Sequence, residues 1–87
     1  MLESYALYVR HEVCRVIGAA ARPARDRIVA FIESLPADPF QSGDYSEPDA
    51  TGRTCQVKVI GKHAVYFWPD HVVKEVKVVD LLDADRT

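Results

Sequence analysis

Between Tyr5 and Arg10 the chain reads YALYVR, an alternation of β-forming side chains that predicts a short first strand. From His11 the period changes. Val13, Val16, Ile17 and Ala20 recur at helical spacing, and Ala19, Ala20 and Ala21 add high helix propensity. Pro23 disfavours helical backbone at Arg22 and suits the first turn of a new helix. In that second helix Ala24, Ile28, Phe31, Ile32 and Leu35 form one apolar stripe, with Arg25, Asp26, Arg27 and Glu33 off it. Pro36 and Pro39 close it. The two segments read as an αα-hairpin, a single kinked helix being the alternative.

Residues 36–52, PADPFQSGDYSEPDATG, carry three prolines and two glycines among small polar side chains, and read as a long loop. Three strands are predicted after it, near 53–60, 62–68 and 72–79. Gly61-Lys62 supplies a glycine-first two-residue turn, and Pro69-Asp70 supplies turn chemistry for the second reversal. The expected class is α+β: an N-terminal strand, an αα-hairpin and a three-stranded antiparallel meander, with the helices on one face of the sheet. The length predicts one domain, 1–87. A chain this short buries only roughly 60% of its unfolded surface, so function is expected in a surface cleft or an interface.

The first turn determines which side chains share a face. It pairs Ile60 with His63, Val59 with Ala64, Lys58 with Val65 and Val57 with Tyr66. One face then holds Cys55, Val57, Val59, Ala64, Tyr66 and Trp68; the other holds Gln56, Lys58, Ile60, His63, Val65 and Phe67. The first set is the more uniformly apolar and is expected under the helices. At the second reversal a two-residue loop would bury Glu75, so a three-residue loop through His71 is expected. That register sets Val76 beside Ala64 and Lys77 opposite His63. Lys58, His63, Lys77 and Glu75 then converge on the uncovered face beside Val65 and Phe67. An apolar strip rimmed by cations suits a surface that something else covers; the plainer reading is a solvated sheet face.

Composition narrows the function classes. Hydrophobic residues make up 48% and charged residues 28%, as in soluble globular proteins, and no apolar run approaches the roughly 20 residues of a membrane span. The opening MLESYALYVR lacks a signal-peptide pattern, so a cytoplasmic protein without membrane contact is expected. Cys14 and Cys55 are read as free thiols, Cys14 as a small buried helix residue. His11-x-x-Cys14 has zinc-ligand spacing, but no second pair accompanies it, and neither metal nor cofactor is expected. The net charge of −2 opposes nucleic-acid binding through overall charge. Charge is uneven: residues 53–77 hold Arg53, Lys58, Lys62, Lys74 and Lys77 against Asp70 and Glu75, while acids gather at 33–49 and at the C-terminus.

With YALYVRHEV, RIVAFIESLPADPF, GRTCQVKVIGKHAVYFW and VVKEVKVVDLL in this order, the chain resembles toxins of the RelE/ParE superfamily from bacterial toxin–antitoxin pairs. The resemblance covers nearly the whole chain, and Gly61-Lys62-His63-Ala64-Val65-Tyr66 is its most recognisable piece. It implies helices on one face of a compact sheet and a cognate antitoxin as partner. RelE-like members cut mRNA on the ribosome without metal, and ParE-like members inhibit DNA gyrase. In the RNA-cutting branch basic strand residues stabilise the scissile phosphate. Lys58 matches one such lysine, and His63 stands where that branch commonly has arginine. The face assignment adds Lys77 at the reacting phosphate, with Arg53, Gln56 and Lys62 expected along the RNA. Cleavage by a 2′-oxygen needs a base, charge stabilisation and an acid, roles a histidine flanked by lysines fits. Gln56 replaces a second lysine of that pattern. Asp80 to Asp85 stands where active members carry arginine or lysine and then tyrosine, leaving Arg86 as the sole late cation. The resemblance therefore implies a RelE-like ribonuclease weakened by those losses. The alternatives are a non-catalytic ParE-like gyrase inhibitor or a degenerate member that only engages an antitoxin. An open edge at the first or last strand would serve antitoxin pairing or homodimer formation.

Overall fold

The computed structural model describes residues 4–83. Its elements are β1 (Ala6–Val9), α1 (His11–Ala19), α2 (Arg22–Ser34), a 3-10 turn at Leu35–Ala37, β2 (Tyr45–Pro48), β3 (Thr54–Ile60), β4 (His63–Asp70) and β5 (Glu75–Asp83). The α+β arrangement with a helical hairpin against one sheet face is the expected one. The hairpin is two helices rather than one kinked helix, because Ala20 and Ala21 are extended, with ψ of 152° and 147°. Pro23 then falls in the first turn of α2, where a missing N–H costs nothing. No helix among the described residues is long and apolar enough to cross a membrane.

The strands form one sheet in the order β1-β5-β4-β3-β2, with β1 parallel to β5 and the other pairs antiparallel. The expected last strand is therefore interior, and β1 and β2 are the edges. β2 lies inside the segment read as loop. Its four residues are exposed and it ends at Pro48, which an edge position tolerates because one side needs no ladder bond.

The β3–β4 register agrees with the turn-based expectation from Gln56↔Phe67 to Ile60↔His63. Which face the helices cover does not. Ile60, Val65 and Phe67 pack with Val13, Ile28, Ile32 and Leu35 in the main core, joined by Val76, Val78 and Leu81. Cys55, Val57, Ala64 and Tyr66 form a smaller cluster on the opposite face, flanked by Trp68 and Val79. The hairpin alone favours the second set; β5 and β1 decide otherwise, placing Val76, Val78, Leu7 and Val9 on the Phe67 side.

The second reversal also differs from expectation. Residues 71–74 form the turn, Asp70 pairs with Glu75, and an irregularity between Tyr66 and Phe67 leaves Val79 without a cross-strand partner. The Asp70 carboxylate accepts the Val72 N–H at 3.1 Å, and Lys74 closes the turn with φ of 57°. A side chain that caps its own turn favours this longer loop over the three-residue one. Trp68 consequently faces Lys77, and His63 faces Asp83.

Helix α1 turns Val13 and Ile17 inward. Cys14, expected to be buried, lies on the exposed side of that helix because it falls between the inward turns.

Candidate functional site

The residues singled out in the sequence fall into separate places. Lys58 lies on the helix side of the sheet and forms an ion pair with Asp44 at 3.5 Å. Asp44 also accepts the Val59 N–H at 2.8 Å, the main cause of its lowered pKa, so the pair stitches residue 44 to β3. Gln56 has a similar role: its carbonyl accepts the Gly43 N–H at 2.9 Å and its amide donates to Ser46 Oγ at 3.0 Å. Both side chains are engaged in holding β2 to its neighbour.

Lys77 is on the other side of the sheet. It lies 2.9 Å from Asp70, 4.0 Å from Glu75 and 5.3 Å from the Trp68 ring centroid. The expected meeting of Lys58, His63 and Lys77 on one surface therefore does not occur. The reason is the second reversal: the four-residue turn at 71–74 pairs Asp70 with Glu75, an odd number of residues from the expected register, and so carries Lys77 to the Trp68 side.

The face without helices carries Arg53 stacked on Trp68, with the guanidinium carbon 3.8 Å from the ring centroid. Around this stack stand Lys77, Asp70 and Glu75. Further along, the Tyr66 hydroxyl donates to the Glu47 carboxylate, and this bond pushes the phenol pKa up. Burial, then the Asp49 charge, pushes the Cys55 thiol up to about 11. Asp49 is held below the usual carboxylate range by the Thr51 hydroxyl, which donates to it at 2.6 Å. Asp80 pairs with Tyr66 across the strands. Phenol and thiol thus stay protonated at neutral pH, and Lys77 is ion-paired with Asp70 and Glu75. Asp85 and Arg86 lie outside the described residues.

His63 and Lys62 come together elsewhere, in a cleft of about 370 Å³ between the start of α2 and the β3–β4 turn. Ala21, Pro23, Ala24 and Gly61 form its apolar walls, and Arg27, absent from the sequence-based candidates, completes its basic side. A methyl placed on Gly61 would sit 4.0 Å from Arg27 Nη1, so the guanidinium lies over the turn. Gly61 itself has φ of 59°, which the tight reversal requires. Nδ1 of His63 is buried without a hydrogen-bond partner. A signal for Arg27 was present: residues 10–27 hold five arginines against Glu12 and Asp26. Among the described residues no cluster of histidine, cysteine and carboxylate side chains suits a metal ion.

Comparison with solved structures identifies the fold. The toxin–antitoxin complex of archaeal RelE and RelB from Pyrococcus horikoshii OT3 contains a chain that superposes with a TM-score of 0.77 at 14% identity, covering 98% of this chain and 100% of that one. A double-arginine-to-alanine mutant of Escherichia coli toxin RelE in the free state gives 0.72 at 11% identity, over 98% and 88% of the two chains. The toxin–antitoxin complex RelBE2 from Mycobacterium tuberculosis gives 0.70 at 12% identity, over 93% and 99%. No family model matches the sequence, and no curated protein matches it. The chain has a RelE-type toxin fold.

Proposed function

We propose that this protein, built on the RelE-type fold, is the toxin half of a toxin–antitoxin pair, bound by a cognate antitoxin and a weak mRNA cleaver at most. Whole-chain likeness to chains found in RelE–RelB and RelBE2 complexes supports the pairing. The observation that carries the second part is the separation of Lys77 from Lys58 and His63 by the sheet, with its charge taken up by Asp70 at 2.9 Å. A phosphorane needs concentrated positive charge. The Trp68 face instead surrounds its two cations with Glu47, Asp70, Glu75 and Asp80. Its remaining asset is the Arg53–Trp68 stack, a platform on which an unpaired base can lie. The antitoxin is expected to add a strand to an exposed edge or lay an amphipathic helix on the sheet.

Inducible expression in bacteria, with and without the product of the adjacent gene, tests this reading. The expected result is a stable complex with that product and few codon-phased mRNA cuts when the chain is expressed alone. Rapid translational arrest with abundant phased cuts would overturn the weak-cleaver assignment in favour of a full RelE-like ribonuclease. A DNA-damage response with intact mRNA would instead point to gyrase, and failure to bind the adjacent product would remove the toxin–antitoxin pairing.

A further inference from the structure

The basic cleft on the helix side plays no part in the function proposed above, and its chemistry points to a ligand of its own. From the geometry we infer that the cleft between α2 and the β3–β4 turn binds a phosphate monoester of mononucleotide size, held by Arg27, Lys62 and His63.

Its volume of about 370 Å³ falls within the roughly 300–1,000 Å³ of small-ligand sites. Two permanent cations line it, and among the described residues no carboxylate forms an ion pair with Arg27 or Lys62. This distinguishes them from Lys58 and Lys77, whose charges are taken up by Asp44 and Asp70. Ala21 caps α2 without a side-chain acceptor, and no acidic residue stands in that helix's first turn, so its positive end is also unanswered. Arg27 supplies a planar fork suited to two phosphate oxygens, and Lys62 a mobile point charge. A phosphate monoester carries about −1.5 to −2 charge at pH 7, which matches two cations better than a diester's single charge.

His63 adds a ring N–H donor. With Nδ1 buried and unpartnered, a proton there would be left without an acceptor, which favours the tautomer protonated on Nε2. Its cross-strand neighbour is Asp83. Ala21, Pro23, Ala24 and Gly61 offer an apolar wall to the rest of the ligand, while the arginine-rich helix pair supplies a positive field around the mouth.

A two-dimensional NMR titration of the whole chain with adenosine 5′-monophosphate tests the site. Saturable shifts are expected at Ala24, Gly61, Lys62 and His63, with weaker shifts at the same residues from inorganic phosphate and none from adenosine. Arg27→Gln and Lys62→Gln each remove an exposed side chain, so the amide spectrum outside the cleft should be preserved while affinity falls about tenfold or more. Unchanged affinity in the double variant, or shifts centred elsewhere, would overturn the site. Equal binding of a dinucleotide phosphodiester would overturn the monoester assignment.

Discussion

Asp70 does two jobs with one carboxylate: it caps the 71–74 turn through the Val72 N–H and neutralises Lys77. The lysine bond is the chief reason its pKa lies below the ordinary 3.8. A carboxylate depressed by folding contributes stability that is complete above 3.8 and disappears as pH falls through its lowered native value. The urea midpoint should therefore drop on acidification below about pH 4, and Asp70→Asn should lower the neutral-pH midpoint while flattening that acid dependence. The two cysteines make a second contrast. Cys14 is exposed, whereas Cys55 is fully buried with its thiol raised to about 11. A colourimetric thiol reagent at neutral pH should titrate one group in the native protein and two in denaturant, because only the thiolate of an accessible cysteine reacts. Neither environment is visible in the bare sequence, where Cys14 beside alanines has the better claim to burial.

At the scale of elements, local pattern carried most of the information. The 3.6-residue stripe of α2 and the glycine-first turn led to the observed helix and to the observed β3–β4 register. Gly61→Ala should cost about 1–2 kcal/mol, since φ of 59° strains any other L-residue, with denaturation melts as the measurement. Phe67 is wholly buried and meets Phe31 edge-on at 5.6 Å between ring centroids, so Phe67→Ala should cost about 3–5 kcal/mol on the same assay. Nothing in the residues of β2 marks it as a strand in the sequence. It forms because Gly43 lets the chain approach the Val57 backbone, where a Cβ would collide, and because Gln56 and Asp44 secure the crossing. Gly43→Ala should therefore release the β2 edge, seen as faster hydrogen exchange at Val57 and Val59 with the helical core unaffected.

Across the whole molecule charge separates by layer. The arginines of α1 and α2 outnumber their acids, while Glu47, Asp70, Glu75 and Asp80 gather on the opposite sheet face. A net charge of −2 conceals this division. If the Trp68 face meets RNA, its acids oppose the contact, and Asp80→Arg should tighten binding of a labelled single-stranded oligoribonucleotide several-fold at low salt, measured by fluorescence anisotropy. Unchanged binding would show that RNA does not lie there. Apart from Arg27, the candidate cations were identifiable by type and neighbourhood in the sequence. Their grouping was not, because each depends on the pairing partner of its strand.

The sequence by itself determined the α+β class, the helical hairpin, the β3–β4 turn and its register, since each follows from side-chain periodicity or backbone preference within a few residues. Only the tertiary structure decided which sheet face the helices cover, that Lys77 stands apart from Lys58 and His63, and that Arg27 joins Lys62 and His63. The first two rest on the long-range pairing of β5 with β1 and β4, whose register follows from the length of the 71–74 turn, and the third on the packing of α2 against the β3–β4 turn.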